Sequence, residues 1–206
     1  MIVASLKKKN NDVEILFEDG STIIVDYNVV VSNGIRKNDN LSEEKIKYLL
    51  DRSEINKIKK YAFRFLGIRN HSSFEIKLKL LKKNFPKELV DIAVKELIDN
   101  AFINDRNYAL QYLEEKIAKG KSGPNKIKSE LIKRGISREI IKEIFTQVDN
   151  SYSLETAFKL ALKKLKSLKE TDITKSKQKI FLFLHSKGFD TEVISKVLSK
   201  LNYDND

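Results

Sequence analysis

The sequence predicts a mainly α-helical protein of three tandem three-helix repeats forming an elongated array, preceded by a small N-terminal β-hairpin and helix element. Three observations carry this. From residue 54 onward the apolar residues return at helical spacing, and only Pro86 and Pro124 interrupt the run. Tyr61-Ala62 followed by Leu66 recurs 47 positions later as Tyr108-Ala109 followed by Leu113, and self-similarity at a fixed period is the signature of a repeat protein. Residues 1 to 26, by contrast, alternate between apolar and polar.

The N-terminal element covers residues 1–53. Val13, Ile15 and Phe17 share one face, and Glu18-Asp19-Gly20 supplies a turn before Thr22 to Val25, which reads as a hairpin. The segment from Asp26 to Gly34 is open to two readings: Val29-Val30-Val31 favours a strand, whereas Asp26 and Gly34 stand where helix caps would. Ser42 followed by Glu43 and Glu44 suits the start of a short helix to about Leu50.

The repeats span 54–103, 104–150 and 151–206, units of roughly 45 to 50 residues that would bury little alone and should stack on their neighbours. Each first helix carries the Tyr-Ala motif or its weaker form, Thr156-Ala157 followed by Ala161 and Leu162. The second helices present Ile76, Leu80 and Leu81, then Ile127, Leu131 and Ile132, then Ile180 and Leu184, all expected in the core, with His185 in the last place. They end alike in Lys83-Asn84-Phe85, Arg134-Gly135-Ile136 and Lys187-Gly188-Phe189: a basic residue, one that tolerates the left-handed conformation, and an apolar one. The third helices carry stripes of Val90, Val94 and Leu97; Ile141, Phe145 and Val148; and Ile194, Leu198 and Leu201. Ser72 with Glu75 makes a capping box, and Pro124 suits the first turn of its helix.

The 206 residues include 40 Lys and Arg against 29 Asp and Glu, a net charge of +11 that points to an anionic partner. Hydrophobic residues make up 41%, enough to bury a core, so the charge reads as solvated surface rather than disorder. Cysteine is absent, which removes disulfides, thiolate nucleophiles and sulfur-ligated metal sites. The two histidines, His71 and His185, lie far apart, and neither has metal-ligand spacing, so no metal site is expected. No apolar stretch approaches the ~18 residues that span a bilayer and no signal peptide is present, so a cytoplasmic protein without a membrane partner is expected.

The most cationic stretch surrounds the second repeat: Lys116, Lys119, Lys121, Lys126, Lys128, Lys133, Arg134, Arg138 and Lys142. It can be read as a phosphate-contacting stripe or a surface for an acidic protein groove, with Gly120 and Gly123 admitting an anion to backbone amides at a helix N-terminus. It can equally be a solubilising lysine face. Lys77, Lys79, Lys82 and Lys83 form a second basic face, and Lys175, Lys177 and Lys179 a third. Lysine contacts phosphates as a point charge and outnumbers arginine here, which argues against sequence-specific base reading. Tyr61, Phe63, Phe65, Tyr108, Tyr112 and Phe158 could stack on unpaired bases, but their helical spacing assigns them to the core. His71 reads as a loop residue. Gly120-Lys-Ser-Gly-Pro lacks the spacing of a phosphate loop, so no nucleotide site or other cofactor is assigned. Asp99, Asp105 and Glu114 read as residues at helix ends rather than as catalytic carboxylates.

Taken in order, several of these segments resemble the RecX regulatory proteins, which modulate the bacterial RecA recombinase. They are Tyr61-Ala-Phe-Arg-Phe-Leu66, Arg69-Asn-His-Ser-Ser-Phe-Glu-Ile-Lys-Leu78, Phe102-Ile-Asn-Asp-Arg-Asn-Tyr-Ala109, Lys119-Gly-Lys-Ser-Gly-Pro-Asn-Lys-Ile127 and Ser186-Lys-Gly-Phe189. The resemblance runs from about residue 56 to the end, and its specificity lies in motif order and spacing. It implies a non-enzymatic protein that binds the RecA filament and its single-stranded DNA, with double-stranded DNA a further candidate, and limits recombinase and ATPase activity in recombination and repair; separately, a monomer is expected. It also implies a hairpin and two short helices before the repeats. The residues expected to meet the partner or DNA are Lys77, Lys82, Lys83, Lys119, Lys121, Lys126, Lys128, Lys133 and Arg134. A reading from a different class is a sequence-independent nucleic-acid-binding repeat protein that acts without a recombinase.

Overall fold

The chain begins as a three-stranded antiparallel meander, β1 (Val3–Lys9), β2 (Asp12–Phe17) and β3 (Thr22–Asp26). The hairpin read from β2 and β3 is present, with Ile15 opposite Ile23, and β1 adds a third strand with Leu6 opposite Ile15. Three consecutive lysines at 7–9 hide the alternation of β1, whose exposed edge they occupy. Val3, Val13, Ile15, Phe17 and Val25 form the buried face. The computed structural model describes residues 1–147, 151–168 and 172–201.

The segment after β3 is helix α1 (Tyr27–Ser32). Asp26 decides the matter: its carboxylate accepts from the Asn28 amide at 3.0 Å, which caps the helix, and it also bonds Lys60 at 2.8 Å and Asn56 at 3.2 Å. Val29 and Val30 are buried against the sheet, so packing overrides the poor helix propensity of three β-branched residues. Ser42 caps the next helix as expected, but α2 runs from Glu43 to Leu66 without a break and crosses residues 53 and 54. No proline or glycine lies within it. One helix therefore serves two cores: Leu49 packs on the sheet, and Ile55, Ile58 and Ala62 pack in the first repeat.

The first repeat is completed by α3 (Ser73–Leu81) and α4 (Lys87–Asp99), with Ile76, Leu80, Val90, Ala93, Val94 and Leu97 buried. Ser72 caps α3 by accepting from the Glu75 amide. The second repeat comprises α5 (Asp105–Lys119), α6 (Pro124–Lys133) and α7 (Arg138–Thr146), and Pro124 opens α6 as expected. The third comprises α8 (Ser151–Ser167), α9 (Ile173–Ser186) and α10 (Thr191–Lys200). Asn84, Gly135 and Gly188 close the second helix of each repeat with positive φ, and the following Phe85, Ile136 and Phe189 turn back into the core. Val148 of the expected third-helix stripe lies outside the described residues.

Two compact units result, Met1–Ile103 and Asn104–Asp206. The first holds the sheet cluster and the first-repeat cluster, and the second holds one cluster for each remaining repeat. Two expected core residues are misplaced: Phe63 is 42% exposed on α2, and Ile132 is 50% exposed, because Ile127 and Leu131 fill the α6 stripe and leave the next residue on its flank.

Candidate functional site

The cations of the second repeat fall into three settings. Between α5 and α6 the Tyr112 hydroxyl donates to Glu130 at 2.6 Å, and Lys116 pairs with the same oxygen at 2.7 Å. Burial raises the Glu130 pKa, but these two hydrogen bonds outweigh it and hold the carboxyl below its usual range. Arg134 donates to the Tyr108 hydroxyl at 3.0 Å, and its guanidinium lies 4.7 Å from the Tyr112 ring centre. Arg134, expected at the partner surface, is thus engaged inside the repeat, where its planar head stacks and bonds as lysine could not. Glu130 takes its partners Lys116 and Tyr112 from α5, a pairing that local spacing along α6 does not reveal. Lys119 is engaged as well, by Glu115 one turn back.

The second setting is open. Lys121 in the loop before α6, and Lys126 and Lys133 on it, have no carboxylate within ion-pair reach among the described residues. Lys126 and Lys133 lie seven residues apart, within about 20° of the same direction on the helix. In the third setting Lys128 points about 200° away from Lys126, and its Nζ lies 4.8 Å from the Phe145 ring centre on α7. The sequence-selected cations of α6 are therefore split between opposite sides of the helix.

The Gly120 and Gly123 amides, expected to be open to an anion, are engaged within the protein, that of Gly120 by the Ile117 carbonyl at 3.0 Å. The Gly123 amide donates to the Lys187 carbonyl at 2.8 Å and the Asn125 amide to the Gly188 carbonyl at 3.0 Å. The α6 N-terminus is capped by the turn between α9 and α10, and this backbone contact ties the second repeat to the third.

In the first unit Lys77 pairs with Asp91 of α4 at 2.5 Å, while Lys82 and Lys83 are exposed at the end of α3 with no carboxylate within reach among the described residues. In the third repeat Lys175 is paired with Asp172 at 3.8 Å, and Lys177 and Lys179 are exposed on α9. Of the aromatic set, Tyr108 is buried and Tyr61, Phe65, Tyr112 and Phe158 are partly so, whereas Phe63 is 42% exposed and meets Phe102 edge to face. His71 lies in the turn between α2 and α3 but is buried. Among the described residues no helix is long and apolar enough to cross a membrane, and no cluster of His, Asp and Glu is placed to hold a metal ion.

These features define a tandem three-helix repeat protein with patches of uncompensated lysine. Family models for the first, second and third three-helix domains of RecX match residues 59–97, 104–144 and 150–198. The Regulatory protein RecX of Clostridium perfringens (strain 13) is 32% identical over 197 residues, covering 95% of this chain and 92% of the relative. That of Clostridium beijerinckii is 30% identical over 204 residues, 98% and 95% of the two chains. A crystal structure of regulatory protein RecX superposes with a TM-score of 0.87 at 24% identity, over 97% of this chain and all of the other. RecX from Lactobacillus salivarius gives 0.66 at 26% identity over 72% of this chain and 96% of that one. The chain belongs to the RecX family of regulatory proteins.

Proposed function

We propose that the chain is a non-enzymatic, monomeric, cytoplasmic regulator that binds the RecA filament and its DNA and lowers recombinase and ATPase activity. The observation that carries this reading is membership of a family of regulatory proteins along nearly the whole chain, with all three repeat domains matched. Exposed lysines, and the half-buried Lys126, supply the contact chemistry. Lys121, Lys126 and Lys133 in one unit and Lys82 and Lys83 in the other carry charge that no internal carboxylate within ion-pair reach consumes among the described residues. Such point charges suit phosphates or acidic protein surfaces and read no base sequence. Lys77, Lys119 and Arg134 would act more weakly, since each is already paired or stacked within its own unit.

The test is the ATPase rate of RecA assembled on single-stranded DNA while this protein is added at fixed salt. The expected result is a fall at amounts well below one molecule per RecA subunit. Exchanging Lys121, Lys126 and Lys133 for Gln should then raise the amount needed while helicity stays unchanged. An unaltered ATPase rate, at concentrations where the protein demonstrably binds the bare strand, would replace this reading with that of a general nucleic-acid-binding module.

A further inference from the structure

The second unit contains a groove of about 910 Å³ between α6 and α7 on one side and α8 and α10 on the other. Its floor is apolar. Ile132, half exposed, lies beside Ile141 and Phe145 of α7, and Leu154 and Val193 close it from the third repeat. One wall carries Lys128, Arg138 and Lys142, and none of the three has a carboxylate within ion-pair reach among the described residues. The opposite wall carries Asp190 and Glu192, but both are engaged: Asp190 caps α10 by accepting from the Val193 amide at 2.9 Å, and Glu192 pairs with Lys196 at 2.6 Å. The groove therefore presents a net positive rim over an aliphatic floor. Ser153, 3% exposed, borders it with a hydroxyl that has no hydrogen-bond partner, and a buried polar group in that condition calls for an explanation.

We infer that this groove docks a protein segment: an amphipathic helix whose apolar side chains enter between Ile132 and Val193 and whose carboxylates meet Lys128, Arg138 and Lys142. Two observations favour a peptide over a nucleic-acid strand. Bases need an open aromatic face, and the only aromatic ring lining the groove among the described residues, Phe145, already has Lys128 against it at 4.8 Å. The rest of the floor is aliphatic, which suits Leu or Phe anchors at i, i+3 and i+4. The groove is also preformed. Its walls come from two repeats, and the Gly123 and Asn125 amides bonded to the α9–α10 turn hold them in register, so little ordering is needed before binding. The inference concerns a site separate from Lys121, Lys126 and Lys133 and does not depend on what those lysines contact.

The test uses the full chain and a synthetic helix-forming peptide of about 15 residues, ~22 Å long, with Leu and Phe along one stripe and Glu beside it. Binding is read by fluorescence anisotropy and by amide chemical shifts. The expected result is binding that shifts Ile132, Phe145 and Val193, is lost when Glu is exchanged for Lys in the peptide, and is lost when the Leu and Phe residues become Ala. Replacing Lys128, Arg138 and Lys142 by Glu should weaken binding by about tenfold or more, since like charges then face each other. Lys142→Glu alone, at an exposed position, should weaken it measurably if the triple variant does not fold. The proposal is overturned if the peptide shifts other residues or binds the folded variants unchanged. It is also overturned if an oligothymidylate strand shifts the same three residues more strongly than the peptide, which makes the groove a nucleic-acid site. Concentration-dependent shifts of those residues in the chain alone would overturn it in favour of self-association.

Discussion

His71 shows how a polar side chain in a loop can become a stability determinant. It is 4% exposed, and its Nδ1 lies 2.8 Å from the Arg69 carbonyl; a carbonyl only accepts, so Nδ1 carries the proton in that bond. Burial pushes the ring pKa down, the charges of Arg69 and Lys79 push the same way, and the Arg69 hydrogen bond and Glu75 oppose them without reversing the shift. The folded state thus holds a neutral ring, while the unfolded chain takes up a proton near the ordinary value of about 6.5. Stability contributed by the neutral ring is complete above that pH and is lost as pH falls towards the lower folded pKa. Unfolding free energy, measured by urea titration, should be flat from about pH 8 to 7 and decline as pH falls below about 6.5, and His71→Gln should flatten that decline. An equal slope in the variant would show that another group titrates. Asp26, Glu96 and Glu130 do not confuse the window: their carboxyls are held below the usual range, so their losses come only below about pH 4.5. The sequence placed His71 in a loop, but not in the interior, because its neighbours Arg69, Asn70, Ser72 and Ser73 are all polar.

At the level of elements, three glycines separate two reasons for lacking a side chain. Gly120 ends α5 with φ +55° in open space, so an alanine there meets only the left-handed backbone penalty of about 1–2 kcal/mol. Gly123 has ordinary φ of −82°, yet a Cβ would stand 2.6 Å from the Gly188 carbonyl carbon and oxygen. Gly188 combines φ +87° with a Cβ position 2.5 Å from that of Lys126. Alanine variants, compared by urea unfolding, should lose stability in the order Gly188, Gly123, Gly120. Overpacking at a backbone contact adds about 1–3 kcal/mol to whatever the dihedral costs. A Gly123 variant as stable as the natural chain would mean that the repeats separate freely at this turn. The elements themselves were largely legible, since Pro124, Ser72 and the recurring basic-glycine-apolar turn announce helix starts and stops through local chemistry. The role of Gly123 was not, because its amide is capped by a turn 64 residues further on and nothing local distinguishes that from an anion site. The same limit explains α1: three valines argue for a strand until Asp26 and the burial of Val29 and Val30 are known.

At the scale of the whole molecule, the buried clusters separate at one place. The sheet and first-repeat cores lie within Met1–Ile103, and those of the second and third repeats within Asn104–Asp206. Within the first unit α2 supplies Leu49 to one core and Ile55, Ile58 and Ala62 to the other, and Arg52 bonds Glu96 of α4 at 2.6 Å. Within the second, the capped α6 N-terminus joins two repeats through backbone groups that would otherwise need water. Each unit has about 100 residues, enough for a self-sufficient core. Expressed separately, fragments 1–103 and 104–206 should each be helical and unfold cooperatively in urea, with slopes near 1 kcal/mol per molar. A fragment of residues 54–103 should do worse than 1–103, because it loses the first eleven residues of α2, the Arg52–Glu96 pair and the sheet that α2 packs against. Cooperative unfolding of 54–103 at the midpoint of 1–103 would show that α2 is two functional halves joined by chance. Failure of both longer fragments to fold would show instead that neither unit is stable without the other.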